Sequence, residues 1–272
     1  MKKMFAVVLA GVMAMSLLTA CGSKVEDAAK TDDSARTTFT VGFDAEFPPY
    51  GYMDESGEYV GFDLDLAAEV CKRQGWELVK QPIDWDAKDM ELSSGSIDCI
   101  WNGFTINGRE DAYTWSVPYV DNSQVFVVAS DSGIAAQADL AGKAVGVQKD
   151  SSALAALQDE EGAADLAATF GDLIQYADYN TAFMDLEAGA LEAVAIDIGV
   201  ANYQINQRGD EYVILNEQLA TEQYGIGFLK GNDELKNQVE KTLMEMVDDG
   251  TFMTIAEKYA DFGLVDTVCL GK

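Results

Sequence analysis

The chain has 272 residues, and its 18 basic and 47 acidic side chains give a formal charge of −29, with no histidine. A polyanion of this density repels phosphate backbones, which excludes nucleic acid from the expected partners. The absence of histidine excludes Ser-His-Asp and Cys-His catalytic centres and the common histidine-ligated metal sites. The chain also lacks a metal-binding motif, a nucleophile elbow and the GxGxxG spacing of a dinucleotide site, so we expect no catalytic residues, no cofactor and no metal.

The first twenty residues have the pattern of an export signal. Lys2 and Lys3 precede an apolar run from Met4 to Leu18, and the sequence Leu-Thr-Ala-Cys ends at Cys21. The run is shorter than the roughly 20 residues of a membrane-spanning helix, so we interpret residues 1–20 as a signal peptide and not as an anchor. The cysteine resembles that of a bacterial lipobox, which implies lipidation of Cys21 and attachment to the outer face of the cell membrane.

A flexible tether is expected over residues 21–38, which are polar and lack apolar periodicity. Cys71, Cys99 and Cys269 follow in the body of the chain. Cys71 and Cys99 stand in apolar patterns typical of small buried side chains. An exported protein with three such cysteines can also hold one disulfide and one free thiol, and the sequence leaves the two interpretations open.

Short apolar runs alternate with helical patterns from Thr40 onwards, which predicts an α/β protein with mainly parallel sheets. A second series begins near Lys143, and two helical patterns end the chain within residues 233–272. In that series the side chain of Asn180 is predicted to cap a helix. The predicted strands are 39–43, 76–79, 97–101, 143–147 and 193–196; the predicted helices of the first series are 62–71 and 86–92.

The two series are related by an internal repeat. Residues 92–100 align with residues 186–194, and in both segments a helix ends on glycine before the chain turns into a strand. This predicts two similar lobes, one formed by residues 39–126 with 223–272 and the other by residues 127–222. The runs 124–129 and 224–229 are then the strands that cross between them. Because ligands of open α/β sheets bind beyond the carboxyl ends of strands, we expect a site in the cleft between the lobes.

Several motifs along the body share one order with a known family. The chain resembles the extracytoplasmic solute-binding proteins of polar amino acid ABC transporters over about residues 40–262. The resemblance implies a two-lobed type II binding-protein fold, a monomer that holds an amino acid without changing it, and permease subunits as partners. The segments that carry it are Gly42–Tyr50, Gly61–Leu66, Gly95–Asp98, Arg109, Trp115–Tyr119 and Asp249–Phe252.

The resemblance also implies a role for individual residues around the amino acid backbone. Arg109 matches the arginine that takes the ligand carboxylate, although the loop before it is one residue shorter than is usual. Asp197 matches the acid that receives the ammonium group, and it can also cap the helix that follows. Asn102, Gly103 and Thr105 match positions around both groups, and Ser151 and Ser152 open a helix whose free N–H groups favour an anion. The family usually has glycine at position 150, so we expect the Asp150 side chain to point away.

The ligand side chain is expected to lie between two aromatic residues. Phe47 and Trp85 match the positions that sandwich it, and Asp44 matches a residue that reaches its polar end. Acidic groups and aromatic faces favour Arg, Lys or ornithine, while an amide or cystine stays an alternative. Asp44 and Glu46 could also be an acid–base pair, because some relatives of the family are dehydratases; a receptor sensor module is the third alternative.

Overall fold

A computed structural model describes residues 36–272. The expected signal peptide, Cys21 and nearly all of the tether lie outside these residues. The strands are β1 Thr38–Phe43, β2 Glu46–Phe47, β3 Gly51–Met53, β4 Tyr59–Val60, β5 Glu77–Pro82, β6 Cys99–Thr105, β7 Thr114–Trp115, β8 Val120–Ala129, β9 Ala144–Gln148, β10 Asp172–Tyr176, β11 Ala193–Asp197, β12 Tyr212–Ile214 and β13 Ala220–Phe228. The α-helices are α1 Phe62–Gln74, α2 Lys88–Ser94, α3 Ser152–Gln158, α4 Ala164–Ala167, α5 Tyr179–Glu187, α6 Ile198–Arg208, α7 Asp233–Asp248, α8 Thr251–Glu257 and α9 Leu264–Thr267.

The main sheet has two parallel halves, one in each lobe. The strand order is β10-β9-β11-β8-β13-β6-β1-β5, and β1 is parallel to β5 and β6, as β9 is to β10 and β11. Helices α7 and α8 pack against α1 of the first half. The expected two-lobed α/β class is confirmed; the parallel pairings lie within each half, whereas β8 and β13 pair with their neighbours in antiparallel fashion.

Strands β8 and β13 join the two halves. Their segments Val120–Gln124 and Ala220–Tyr224 pair with each other in antiparallel fashion. Beyond Gln124, β8 pairs with β11, and beyond Tyr224, β13 pairs with β6. The crossing therefore lies just before the runs predicted for it, and both strands exchange partners at Gln124 and Tyr224.

The internal repeat has a packing counterpart in each lobe. A Cβ atom on Gly42 of β1 would lie 2.4 Å from Ile97 Cδ1, and one on Gly146 of β9 would lie 2.5 Å from Leu191 Cδ1. Ile97 and Leu191 are equivalent positions of the repeat, each between a helix and the next strand. In both lobes the strand thus needs glycine so that the branched side chain can pack against its backbone.

Helix caps agree with the sequence at one site and differ at another. The Ser151 hydroxyl accepts from the Leu154 N–H at 3.1 Å and caps α3, as expected. Helix α5, however, is capped by Asp178, whose carboxylate accepts from the Thr181 N–H at 2.7 Å. The prediction of Asn180 as cap is wrong, because the helix begins one residue before it and its amide faces the other lobe.

The three cysteines of the described residues carry free thiols, and Cys71 and Cys99 are buried among apolar side chains. Burial raises the pKa of the Cys71 thiol to about 12, which keeps it in its unreactive protonated form. Within residues 36–272, no helix combines the length and the apolar character that a membrane span needs.

Candidate ligand-binding site

A cleft opens between the lobes where the carboxyl ends of β6, β9 and β11 meet. Its space, counted with the opening, is about 280 Å³. The enclosed space within it is about 10 Å³, so side chains of the two lobes nearly fill the closed cleft. Nine of the ten residues predicted for the site line it together with Gln148: Phe47, Trp85, Asn102, Gly103, Thr105, Arg109, Ser151, Ser152 and Asp197.

Gly103 brings the backbone of β6 to the wall of the cleft. Its φ of 54° lies in the left-handed region, and a Cβ atom there would lie 2.9 Å from Phe47 and 3.0 Å from Tyr224. Its N–H donates to the buried carboxylate of Asp63 at 2.6 Å. Only glycine fits both the backbone conformation and the space.

Arg109 offers a guanidinium without an acidic partner. Its nitrogens donate to two backbone carbonyls, that of Thr105 at 3.4 Å and that of Asp150 at 3.1 Å. No carboxylate of the described chain forms an ion pair with it. The short loop does not remove Arg109 from the site, because a tight turn carries its N–H to the Ile106 carbonyl at 2.9 Å. Such a planar fork is suited to a carboxylate.

Asp197 ends β11 and is only 3 % exposed. Its Oδ1 accepts from Asn122 Nδ2 at 2.9 Å, from Gln124 Nε2 at 2.6 Å and from the Tyr224 hydroxyl. It stands at the N-cap of α6 but makes no capping hydrogen bond, so the capping alternative is wrong. The pKa of Asp197 is raised, because burial disfavours its ionised form and the neighbouring Glu222 disfavours a second negative charge.

Ser152 links the start of α3 to this acidic group. Its hydroxyl accepts from Gln124 Nε2 at 2.9 Å and donates to Glu222 Oε1 at 3.2 Å. Ser151 is occupied as the cap of α3 and also donates to the Gln148 carbonyl at 2.8 Å. The two serines therefore hold the start of α3 in place on the second-lobe side of the cleft.

Two aromatic side chains lie at the remaining side of the cleft. Phe47 is 6 % exposed and packs near the rings of Tyr50 and Tyr179, with centroids 5.8 and 6.0 Å away. Trp85 is half-buried and sets its ring edge-on to Phe104 at 5.4 Å. Both therefore belong to the apolar packing and also line the cleft, so core and site roles are combined.

Asp44 is the predicted site residue that does not line the cleft. Its Oδ2 accepts from Gln148 Nε2 at 2.6 Å and its Oδ1 from the Glu46 N–H at 2.8 Å. Because Gln148 covers it, the carboxylate lies in an adjacent depression beyond Trp85. Burial raises the pKa of Asp44 to about 6.

The whole body of the chain matches one family of proteins. The model of the bacterial extracellular solute-binding proteins, family 3, covers residues 39–262. The chain belongs to this family.

Relatives of this family 3 protein extend the match over nearly its full length. The L-cystine-binding protein TcyJ of Escherichia coli (strain K12) is 29% identical over 257 residues, 92% of this chain and 94% of that protein. A solved substrate-binding protein of an ABC uptake transporter from Streptococcus pneumoniae, with bound histidine, is 33% identical with a TM-score of 0.76 and covers 82% of this chain and 92% of that one. An ancestral arginine-binding protein bound to arginine is 37% identical, with a TM-score of 0.75 and coverages of 83% and 99%. These relatives are binding proteins.

Two residues of the family 3 site, Glu222 and Lys88, were not singled out from the sequence, whereas Gln148 is one of the strand-end residues that the sequence directs to the cleft. Every second residue of β13 faces the interior, and Glu222 lies on the same buried face as Tyr224 and Ile226. This alternation in the sequence could have predicted that Glu222 is buried. Lys88 shares the buried face of α2 with Leu92, four residues on. Gln148 ends β9, where a polar side chain after a buried strand points to a site.

Four polar contacts close the cleft from lobe to lobe. Lys88 Nζ forms an ion pair with the Asp150 carboxylate, and Arg109 Nη2 donates to the Asp150 carbonyl. Gln148 donates to Asp44, and Asn180 Nδ2 donates to Glu46. The Asp150 side chain does not line the cleft but reaches across its edge to Lys88, whose ammonium lies 4.9 Å from the centre of the Trp85 ring. The structure is a closed form of the two lobes.

Asp150 is predicted to act as a latch on the closed form. Its φ of 54° suits glycine, so Asp150→Gly keeps the backbone conformation. The variant removes the ion pair with Lys88, whose side chain is 2 % exposed when the lobes are closed. Because that ion pair joins the two lobes, the substitution should destabilise only the closed form. A loss of roughly 1 to 2 kcal/mol, or about 5- to 30-fold faster ligand dissociation, is expected in stopped-flow experiments. Asp150→Asn, which keeps a hydrogen-bond acceptor for Lys88, should have a ligand dissociation rate between those of wild type and Asp150→Gly. An unchanged dissociation rate in Asp150→Gly would show that the ion pair is incidental.

Proposed function

We propose that this protein captures one zwitterionic amino acid in the cleft and delivers it to the permease of an ABC importer. One observation carries the proposal: the cleft holds an arginine without an acid and a buried acid without a base. Arg109 and Asp197 form no ion pair with any residue of the described chain. The carboxylate and ammonium of an amino acid would supply the two missing partners.

A polar side chain, with preference for a cationic one, is the proposed ligand class. Phe47 and Trp85 offer aromatic faces that attract cations and cover aliphatic stems. Beyond Trp85, the adjacent depression is lined by acidic groups and one lysine: Asp44, Glu46, Asp84, Asp86, Glu91, Asp178 and Lys149. A long cationic side chain would extend toward this negative region. The arginine, histidine and cystine named for the relatives are polar ligands of the same kind.

A thermal-shift screen of the domain against the twenty amino acids, ornithine and cystine tests this prediction. A ligand at a hundred times its dissociation constant stabilises the folded state by about 2.7 kcal/mol. Arg, Lys and ornithine should give the largest shifts; Asp, Glu and the branched apolar residues should give the smallest. Agmatine, which is arginine without its carboxylate, is the matched control and should give almost none. Tightest binding of glutamate would overturn the electrostatic argument.

Binding without turnover distinguishes this proposal from the dehydratase alternative. The Asp44 and Glu46 carboxylates lie beside the cleft and are occupied by amide groups of the other lobe. Mass spectrometry of the ligand after long incubation should return it unchanged. A dehydrated product would favour the enzyme, and a ligand that binds without supporting uptake would favour a receptor sensor.

We also propose that the protein is exported and held to the outer face of the membrane through a lipid on Cys21, as a monomer. The charged start, the apolar run to Leu18 and the Leu-Thr-Ala-Cys sequence support this. Cys21→Ala should move the protein from the detergent phase to the aqueous phase in Triton X-114 partitioning, or block its processing. Ala20→Ser, which keeps the cysteine and a small residue before it, is the control. A Cys21→Ala protein that stays in the detergent phase at the wild-type level would contradict lipidation.

A further inference from the structure

Asp197 has a second buried acid beside it. Glu222 on β13 is 7 % exposed, and Asp197 at the end of β11 is 3 % exposed. Asn122 Nδ2 donates to Glu222 Oε1 at 2.7 Å as well as to Asp197 Oδ1 at 2.9 Å. Gln124 Nε2 likewise donates to both, at 2.8 and 2.6 Å. Because two amide groups serve both carboxyls at once, the carboxyls lie side by side.

The groups that face this pair are all neutral. From β13 the Tyr224 hydroxyl donates to Asp197, and from the start of α3 the Ser152 hydroxyl donates to Glu222. Two further buried phenols, Tyr50 and Tyr179, lie near enough for both carboxyls to raise their pKa. The next acids are Asp44 beyond Tyr179 and Asp63 beyond Tyr50.

No basic residue balances the pair. Within the described part of the chain, neither Asp197 nor Glu222 forms an ion pair with a lysine or arginine. Arg109 lines the same cleft, but its nitrogens donate to the Thr105 and Asp150 carbonyls. Burial and the negative charge of the adjacent Glu222 both raise the pKa of Asp197, which favours a proton on the pair while the cleft holds no cation.

We propose that Glu222 is a positioning residue that couples ligand capture to proton release: the Asp197–Glu222 pair holds one proton in the empty cleft, and the ligand ammonium displaces it. This rests on the proposed function, in which Asp197 receives the ammonium. Before binding, the pair carries one proton and one negative charge. After binding, both carboxylates are ionised around the ligand ammonium, and the proton has passed to solvent. Gln124 and Tyr224, where the hinge strands exchange partners, both bond Asp197, so the coupling acts at the hinge itself.

The sign of the pH dependence follows from this exchange. Where the empty pair is singly protonated, each binding event releases up to one proton, so affinity rises with pH by up to about tenfold per unit. It levels off once the pair has lost its proton without ligand. Two other buried acids near the cleft have a raised pKa: that of Asp44, which faces the ligand side chain, is about 6, and that of Asp63, which accepts from the Gly103 N–H, is about 7. A ligand with a neutral side chain leaves the proton of Asp44 in place, and Glu222→Gln separates the contribution of the Asp197–Glu222 pair from that of Asp63.

The test is isothermal titration calorimetry of the whole domain with L-glutamine and L-arginine at about pH 6, in buffers of different ionisation enthalpy. The slope of the observed enthalpy against the buffer enthalpy gives the number of protons released. Wild type should release about half to one proton with L-glutamine, and at least as many with L-arginine, whose cationic side chain can also displace the proton of Asp44. Glu222→Gln, which keeps the size of the side chain and an acceptor for the two amides, should release almost none with glutamine. Glu257→Gln, an exposed glutamate on α8, is the matched control and should behave as wild type.

The outcomes separate the two proposals. Binding of glutamine or arginine by wild type without proton release overturns the coupling and leaves the binding function intact. Proton release by Glu222→Gln equal to that of wild type assigns the proton elsewhere and also overturns it. If Glu222→Gln does not fold, the wild-type affinity for glutamine decides, because a value independent of pH between about 5 and 7 contradicts the coupling. Failure of both ligands to bind at any pH contradicts the proposed function, on which the coupling rests.

Discussion

Replacing Arg109 with alanine should weaken amino acid binding by about 30-fold to several thousand-fold, since truncating one partner of a buried charge pair costs about 2 to 5 kcal/mol. The guanidinium lies over the Phe104 ring at 5.4 Å and donates hydrogen bonds to two backbone carbonyls, so its other N–H groups remain for a ligand carboxylate. Affinity is measured by calorimetry with the best ligand of the thermal-shift screen.

Two further variants make the Arg109 experiment specific. Arg109→Lys keeps the charge but loses the planar fork, so most of the affinity should still be lost. Arg208→Ala removes an arginine of α6 that pairs with Glu187 outside the cleft, and it should bind as wild type. Thermal unfolding without ligand should change little in Arg109→Ala. Wild-type affinity in this variant would show that another group receives the carboxylate.

Replacing Asp63 with alanine should give the largest loss of stability. Asp63, on the first turn of α1, is fully buried and accepts from the Gly103 N–H at 2.6 Å and from the Tyr119 hydroxyl at 2.8 Å. Alanine leaves both donors unpaired, at a cost of about 3 kcal/mol. For a protein of this size, the melting temperature should fall by roughly 6 to 12 °C. Because Gly103 loses its anchor, ligand affinity should fall as well.

The Asp63 experiment has a pH dependence of known sign. Burial raises the pKa of Asp63 to about 7 from an ordinary value of 3.8. The folded state therefore binds the proton more tightly, and the contribution of this group is fully present below about pH 4 and is lost as the pH rises through about 7. Asp63→Asn keeps the shape and an acceptor but does not titrate. In urea unfolding, the free energy of unfolding of wild type relative to Asp63→Asn should be larger at pH 5 than at pH 8. The opposite trend would contradict a protonated Asp63.

Much of the local structure was predictable because it depends on neighbours in the chain. The glycines of the internal repeat, Gly95 and Gly189, adopt left-handed conformations between helix and strand as predicted. The strand starting near residue 97 was predicted too short, ending at 101, while β6 runs to Thr105. Its last residues include Asn102 and Thr105, which are polar yet buried, and an apolar pattern does not detect such residues.

The sequence by itself determined the two α/β lobes, their parallel strands and the polar residues that end those strands, because side-chain period and turn chemistry act over a few residues. Only the tertiary structure decided which polar groups face each other across the cleft. Gln148 covers Asp44, Lys88 reaches Asp150, and Glu222 lies beside Asp197, which are pairs separated by 104, 62 and 25 positions. Such pairs depend on how the hinge strands bring the lobes together. The charge state of the site follows from that packing, since burial and neighbouring acids set the protonation of Asp44 and Asp197.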